Sequence, residues 1–254
     1  MILNFKKEGN GTTSLIILHG LFGSLDNWMT FAKKMSEHFT VYLLDARNHG
    51  QSFHNDEFTY ECMAKDVKDF MEQQQIKEAI ILGHSMGGKT AMQFAFNYPH
   101  LVKKLIVADI APKAYPVHHG EIIKGLQSLD FNVIKTRGEA DEKLAEAIPI
   151  LAVRQFLLKN MYWKEKDQLA WRFNLDVIAN KIENVGVEIK ASFPFNEPTL
   201  FVRGERSNYV LDENLADIKN KFPNMKLETI KGSGHWIHAE KPNEFLEVVE
   251  AFLL

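Results

Sequence analysis

Short, continuous apolar runs alternate along this chain with segments of helical period. Residues 15–18, 41–44, 80–82, 105–108 and 200–202 are apolar at consecutive positions. A strand with no polar face must be covered on both sides, so these runs predict a parallel sheet buried between helices. Between them, Tyr60, Met63, Val67, Phe70 and Met71 recur at helical spacing, as do Phe245, Val248, Val249 and Phe252 near the C-terminus,. Residues 225–231, carrying Met225, Leu227 and Ile230, read as a last strand, and residues 2–7 as a first edge strand. Strand followed by helix, repeatedly, predicts a doubly wound α/β fold.

One interval breaks the rhythm. The stretch between Ala108 and Thr199 is far too long for a structureless loop,. It carries helical patterns of its own, Ile150, Val153, Phe156, Leu157 and Met161, then Leu175, Ile178, Ile182 and Val185. Residues 115–195 are therefore expected to form a helical cap inserted into a core made of residues 1–114 and 196–254. Trp163, Trp171, Phe173 and Phe193 lie in this insertion. Burial suits each ring as core packing, and some of the set, with Trp163 and Trp171 the candidates, are expected to line a substrate pocket.

Composition narrows the class without choosing a function. Apolar residues make up 45% of the 254 and charged residues 25%, as in ordinary globular domains,. A net charge of -3 gives no broad attraction for nucleic acid or an anionic membrane,. No apolar run approaches the ~20 residues that span a bilayer. The single Cys62 cannot form an internal disulfide, and charge enters the N-terminus at Lys6 and Lys7 before a leader could form,. The chain reads as cytoplasmic, and nothing in it reports oligomeric state.

The chemistry is concentrated at Gly83-His84-Ser85-Met86-Gly87-Gly88, which follows an apolar strand and opens a helical segment. This is the Gly-x-Ser-x-Gly nucleophile elbow in its strand-turn-helix setting. Glycines two residues either side of Ser85 remove collisions that a strained turn would otherwise suffer. The competing reading is a glycine-rich turn that binds phosphate at a helix N-terminus. A serine hydroxyl needs an adjacent base. His235, in Gly232-Ser-Gly-His-Trp236 between the last strand and the C-terminal helix, is the best placed of ten histidines. His84 is expected to pack beside the turn. His235 and His238 share an i, i+3 spacing, but with no third ligand or His-Glu-x-x-His pattern they predict no metal site, and no cofactor motif accompanies them.

Attack on a carbonyl requires fixed donors where the oxyanion forms. The backbone N–H of Met86, after the nucleophile, and of Leu21, after His19-Gly20, occupy the two positions that supply them,. Phe22, and Trp236 beside the base, are expected to wall the substrate. The acid is less direct. The turn Gly204-Glu-Arg-Ser-Asn-Tyr-Val210, aligned with the form Gly-x-x-Asp-x-x-Val, puts Ser207 where the aspartate belongs. A neutral hydroxyl cannot stabilise an imidazolium as a carboxylate does. Asp109 closes the strand neighbouring the elbow strand and keeps the order Ser, acid, His; Glu205 is the rival, and Asp212 reads as a helix cap. Ser207 is left as an auxiliary partner.

These motifs, together with His19-Gly-Leu-Phe-Gly-Ser24, Asp45-Ala-Arg-Asn-His-Gly-Gln-Ser52, Asp109-Ile-Ala-Pro112, Trp171-Arg-Phe-Asn174 and Gly234-His-Trp-Ile-His-Ala-Glu-Lys-Pro242, resemble the α/β-hydrolase superfamily and, more narrowly, the YbfF-type bacterial esterases. The likeness spans nearly the whole chain. It implies an α/β-hydrolase fold with the cap between the sixth and seventh strands, Asp109 as the acid, and an architectural role for Asp45, Arg47 and His49. It also implies hydrolysis of small-molecule carboxylic esters, with acyl thioesters as a second substrate class. A C–C bond hydrolase or lyase could use the same residues. A non-catalytic receptor could retain the pocket, although intact serine, base and oxyanion positions argue against it. Epoxide hydrolases and haloalkane dehalogenases carry aspartate where this chain has Ser85.

Overall fold

A computed structural model describes residues 1–254. One sheet holds seven strands, β1 (Phe5–Glu8), β2 (Ser14–Leu18), β3 (Thr40–Leu44), β4 (Ala79–His84), β5 (Val102–Ala108), β8 (Thr199–Gly204) and β9 (Met225–Ile230), while β6 (Met161–Glu165) and β7 (Gln168–Trp171) form a separate hairpin. The order in the sheet is β1-β3-β2-β4-β5-β8-β9. β1 pairs antiparallel with β3, and every other pairing in the sheet is parallel. The helices are α1 (Met29–Met35), α2 (Tyr60–Gln73), α3 (Met86–Asn97), α4 (Gly120–Gln127), α5 (Arg137–Ala145), α6 (Leu151–Leu158), α7 (Leu175–Asn180), α8 (Glu183–Gly186), α9 (Leu215–Lys221), α10 (Ile237–Glu240) and α11 (Pro242–Leu253).

The apolar runs split between two cores because successive strand residues point to opposite faces. Ile16, Leu18, Ile81, Leu105 and Phe201 pack with Met63, Val67, Met92 and Phe94 of α2 and α3. Leu15, Ile17, Ile80, Leu82 and Ile106 pack with Met35 of α1 and Phe245 and Val249 of α11. Full burial of one such aliphatic side chain stabilises the fold by about 1.5–3 kcal/mol. Thr59 caps α2, its hydroxyl accepting the Cys62 N–H at 3.3 Å,.

The parallel register sets the ends of β4, β5 and β8 side by side. The Ser85 N–H donates to Ala108 O at 3.1 Å and the Asp109 N–H to Val202 O at 2.8 Å. Two residues that follow separate strands are thus held at one sheet edge, where open α/β sheets bind ligands.

The long interval, carrying α4 to α8 and the β6–β7 hairpin, joins β5 to β8. These are the fifth and sixth strands of the seven-stranded sheet in chain order, one strand earlier than the sixth-to-seventh placement. Met161 fits the helical spacing of Val153, Phe156 and Leu157 but leaves the helix: α6 ends at Leu158 and Met161 pairs with Trp171 across the hairpin. The tight turn at Lys166-Asp167, with Asp167 at φ 61°, reverses the chain,.

Candidate active site

The backbone of Ser85 sits at φ 54° and ψ -118°, strained for a residue with a side chain,. Its neighbours show why the turn demands glycine. A Cβ on Gly83 would lie 2.1 Å from Gly87 O, and one on Gly87 would lie 2.3 Å from Leu18 O. The turn ends on the first residue of α3, so Ser85 Oγ stands at the mouth of the sheet edge.

His235 Nε2 lies 3.0 Å from Ser85 Oγ, and His235 Nδ1 lies 2.7 Å from Asp109 Oδ2. Asp109 is fully buried. Its Oδ1 accepts the Gly204 N–H at 3.0 Å, and its Oδ2 also accepts the Ser207 hydroxyl. Ser207 thus stands where the turn after β8 lacks a carboxylate and holds the one that follows β5. Glu205 points elsewhere, accepting the Gly232 N–H at 2.9 Å. Asp212 pairs with Arg203 at 2.7 Å, and the side chain that closes that turn belongs to Asn214, which accepts the Leu211 N–H. Asp212 is therefore not the cap that its position suggested.

Three residues hold His235 in place: His84, which packs beside the turn as expected, and two that the sequence reading missed, Glu240 and Tyr209. Glu240 accepts the N–H groups on either side of His235, from Gly234 at 2.7 Å and Trp236 at 3.2 Å. His84 Nε2 donates to His235 O at 2.8 Å, which requires the tautomer with hydrogen on Nε2. Burial, with His238 and His235 nearby, pushes the His84 pKa well down and keeps that ring neutral,. Tyr209 lies flat against His235, ring centroids 3.9 Å apart and planes 17° from parallel. His238 and His235 do not converge on a shared point, since His238 stacks on Trp28 at 4.1 Å.

Opposite Ser85, the loop after β2 carries Leu21. No acceptor within the chain takes the Leu21 or the Met86 N–H. Two buried imidazoles shape this loop. His49 Nε2 accepts the Phe22 N–H at 3.1 Å and its Nδ1 donates to Arg47 O; His19 Nε2 accepts the Ala46 N–H at 3.0 Å and its Nδ1 donates to Gly20 O. Each ring acts as one donor and one acceptor, the pattern of neutral imidazole. Burial drives the His49 pKa down to about 3 and lowers that of His19. Asp45 accepts N–H groups from Leu25 and Gln51, and Arg47 grips Asp66 with two hydrogen bonds, so this segment is a brace for the loop.

A cavity of about 280 Å³ opens over Ser85, walled by Phe22, Ile122, Val153, Phe156, Leu157 and Trp236 among others. Trp163 and Trp171 do not reach it. Trp163 is 56% exposed. Trp171 stacks on Phe173 at 5.0 Å, and Phe173 meets Phe22 at 5.1 Å, so Trp171 supports the Phe22 wall from behind. The extra wall residues come from α4 and α6, whose apolar positions are indistinguishable in sequence from those that pack inward.

The fold and this sheet-edge site define an α/β hydrolase, and the chain belongs to that family. The α/β hydrolase fold profile matches residues 13–133. A putative esterase/lipase of Haemophilus influenzae is 38% identical over 99% of this chain and 88% of its own length. Esterase YbfF of Escherichia coli is 34% identical over 96% of this chain and 94% of its own. The solved structure of a marine microorganism esterase superposes with a TM-score of 0.97 at 44% identity, covering 99% of both chains.

Proposed function

We propose that this protein is a serine carboxylesterase in which Ser85 is the nucleophile, His235 the general base and Asp109 the acid that orients it. The observation that carries the reading is the unbroken contact Ser85 Oγ to His235 Nε2 at 3.0 Å and His235 Nδ1 to Asp109 Oδ2 at 2.7 Å. The relatives named esterases support the ester as substrate class. His235 takes the Ser85 proton as Oγ adds to the ester carbonyl. The oxyanion meets the free N–H groups of Leu21 and Met86, which lie ready without reorganisation. His235 then gives its proton to the departing alcohol, leaving an acyl-enzyme that water hydrolyses by the same steps in reverse.

Residues 115–195 act as the cap, because Ile122 of α4 and Val153, Phe156 and Leu157 of α6 supply walls of the cavity. At about 280 Å³ that cavity lies just below the ~300–1,000 Å³ of small-molecule sites, which favours acyl groups of small to medium size,. Ser85→Ala should lower kcat by at least ~10³-fold and abolish labelling by a fluorophosphonate probe, because nucleophile and base act as a unit. Full esterase activity in Ser85→Ala would rule out the covalent route. p-Nitrophenyl esters of increasing chain length, acyl thioesters and lactones would rank the substrate classes on the wild-type enzyme.

A further inference from the structure

The mechanism leaves the aromatic ring beside His235 unused. We propose that Tyr209 is a positioning residue whose π face stabilises the His235 imidazolium, and that the Tyr115 hydroxyl clasps Tyr209 in that pose. The inference rests on His235 being the general base. Each proton transfer from Ser85 puts a positive charge on the imidazole until that proton passes to the leaving alcohol. A cation against a tyrosine face within about 6 Å is attracted by the ring quadrupole, and the Tyr209 ring centre is 3.9 Å from that of His235.

The ring is fixed by its backbone. The Tyr209 N–H donates to Ser207 Oγ at 3.2 Å, and Ser207 in turn donates to Asp109. The Tyr209 carbonyl accepts the Tyr115 hydroxyl, whose oxygen accepts the Ala111 N–H at 2.8 Å, two residues beyond Asp109. A loop of contacts therefore closes from His235 through Asp109, Ser207 and Tyr209 back to the His235 face. Neither hydrogen bond uses the Tyr209 hydroxyl, so the aromatic face is the part the site employs.

The surroundings leave this face as the added support for the charge. Asp109 meets the Nδ1 edge, and Ser85 the Nε2 edge. His84 packs on the imidazole at 4.7 Å, tilted 42°, and His119 and His238 are also near; burial keeps all three neutral, with pKa values well lowered for His84, about 4 for His119 and about 3 for His238. Lys113, His118 and Arg206 border the open groove that His235 and Tyr209 share. Glu205 is engaged with the Gly232 N–H, and Glu240 with the Gly234 and Trp236 N–H groups. The Lys89 ammonium sits 4.8 Å from the far partner, the Tyr115 ring.

The test is the pH profile of kcat/KM for a p-nitrophenyl ester in the wild type, Tyr209→Phe and Tyr209→Leu. Tyr209→Phe keeps the face and should stay within about twofold of wild type with an unmoved acidic limb. Tyr209→Leu should lose about 3- to 30-fold, and its acidic limb should move to lower pH by up to about one unit, because the cation has lost support. Should Tyr209→Leu fail to fold, phenylalanines bearing progressively more fluorine at position 209 weaken the face without removing the ring, and the limb should step down with each. Tyr115→Phe should lower kcat severalfold with KM unchanged. An unmoved limb in Tyr209→Leu or across the fluorinated series, or an equal loss in Tyr209→Phe, would overturn the platform; wild-type kcat in Tyr115→Phe would overturn the clasp. Fluorophosphonate labelling and the activity of His235→Ala, run in parallel, isolate the outcomes. If labelling needs Ser85 and His235→Ala is inactive while the Tyr209 profile is flat, only this inference fails. If His235→Ala is active, the triad itself fails.

Discussion

Asp109 is a fully buried carboxylate at φ 49°, and three donors converge on it: Gly204 N–H, the Ser207 hydroxyl and His235. A carboxylate at that point fixes the imidazole with its hydrogen on Nδ1 and its lone pair on Nε2, toward Ser85. An amide cannot do both, since its NH₂ turned to Nδ1 selects the opposite tautomer. Asp109→Asn is therefore expected to lose up to ~10⁴-fold in kcat. Ser207→Ala removes one hydrogen bond to a charged acceptor and one support of Tyr209, a loss of about tenfold. Glu205→Gln should leave kcat within about twofold, its one bond being to the exposed Gly232 N–H,. Steady-state kinetics on one chromogenic ester check all three, and a near-wild-type Asp109→Asn beside an inactive Glu205→Gln would reverse the assignment.

Between elements, one buried tie runs from α3 to the return segment of the insertion. Lys89 leaves α3 one turn beyond Ser85 and is buried; its ammonium donates to Val187 O at 2.5 Å and approaches Gly186 O at 3.4 Å, with the Tyr60 and Tyr115 rings beside it. Burial pushes its pKa down to about 8. Lys89→Met keeps the stem and strips the carbonyls of their donor, at a cost of about 1–3 kcal/mol. Amide exchange over residues 185–190 is expected to accelerate by about 10-fold or more, read by hydrogen-exchange mass spectrometry; an unchanged pattern would show that the segment seats without Lys89. Elements of this kind differ in how far the sequence discloses them. Five of the seven sheet strands, β2, β3, β4, β5 and β8, are legible because their apolar runs face both ways, β1 and β9 being half-exposed edge strands, and the elbow is legible because its glycines answer to local clashes at Gly83 and Gly87. The hairpin is not, since Met161 satisfies helical spacing as well as strand pairing. Trp163 and Trp171 show the same limit, as one ring type serves surface, core and pocket. The pairing of Asp109 with His235 could be reasoned from the acid position left empty at Ser207, whereas the contacts of Tyr209, Glu240 and Lys89 join distant segments that no local pattern encodes.

At the scale of the molecule, three buried histidines and the half-buried His238 tie stability to pH. His19, His49, His84 and His238 all have pKa values lowered first by burial, those of His49 and His238 to about 3, against 6.5 for the free side chain. The unfolded chain takes up protons at these sites once the pH drops below about 6.5, while the folded chain takes them up only at lower pH, about 3 at His49 and His238,. More protons on the unfolded state means that stability falls with pH. The stabilisation is thus complete above about pH 6.5 and is lost progressively as pH falls toward about 3. At about pH 5 His49 and His238 each cost about 2 kcal/mol relative to neutral pH,, a large share of the ~5–15 kcal/mol that holds an ordinary domain, and His19 and His84 act in the same direction. Tm should therefore decline steeply between pH 7 and 5, well before most carboxylates titrate. His238 allows the cause to be isolated, because its Nδ1 has no hydrogen-bond partner and its ring serves as a flat stack on Trp28. His238→Phe keeps an aromatic ring on Trp28 and removes one titrating group, so between pH 7 and 5 its stability should fall by about 2 kcal/mol less than that of the wild type, measured by urea unfolding. If the two proteins lose stability in parallel, the acid sensitivity arises elsewhere than in these neutral imidazoles.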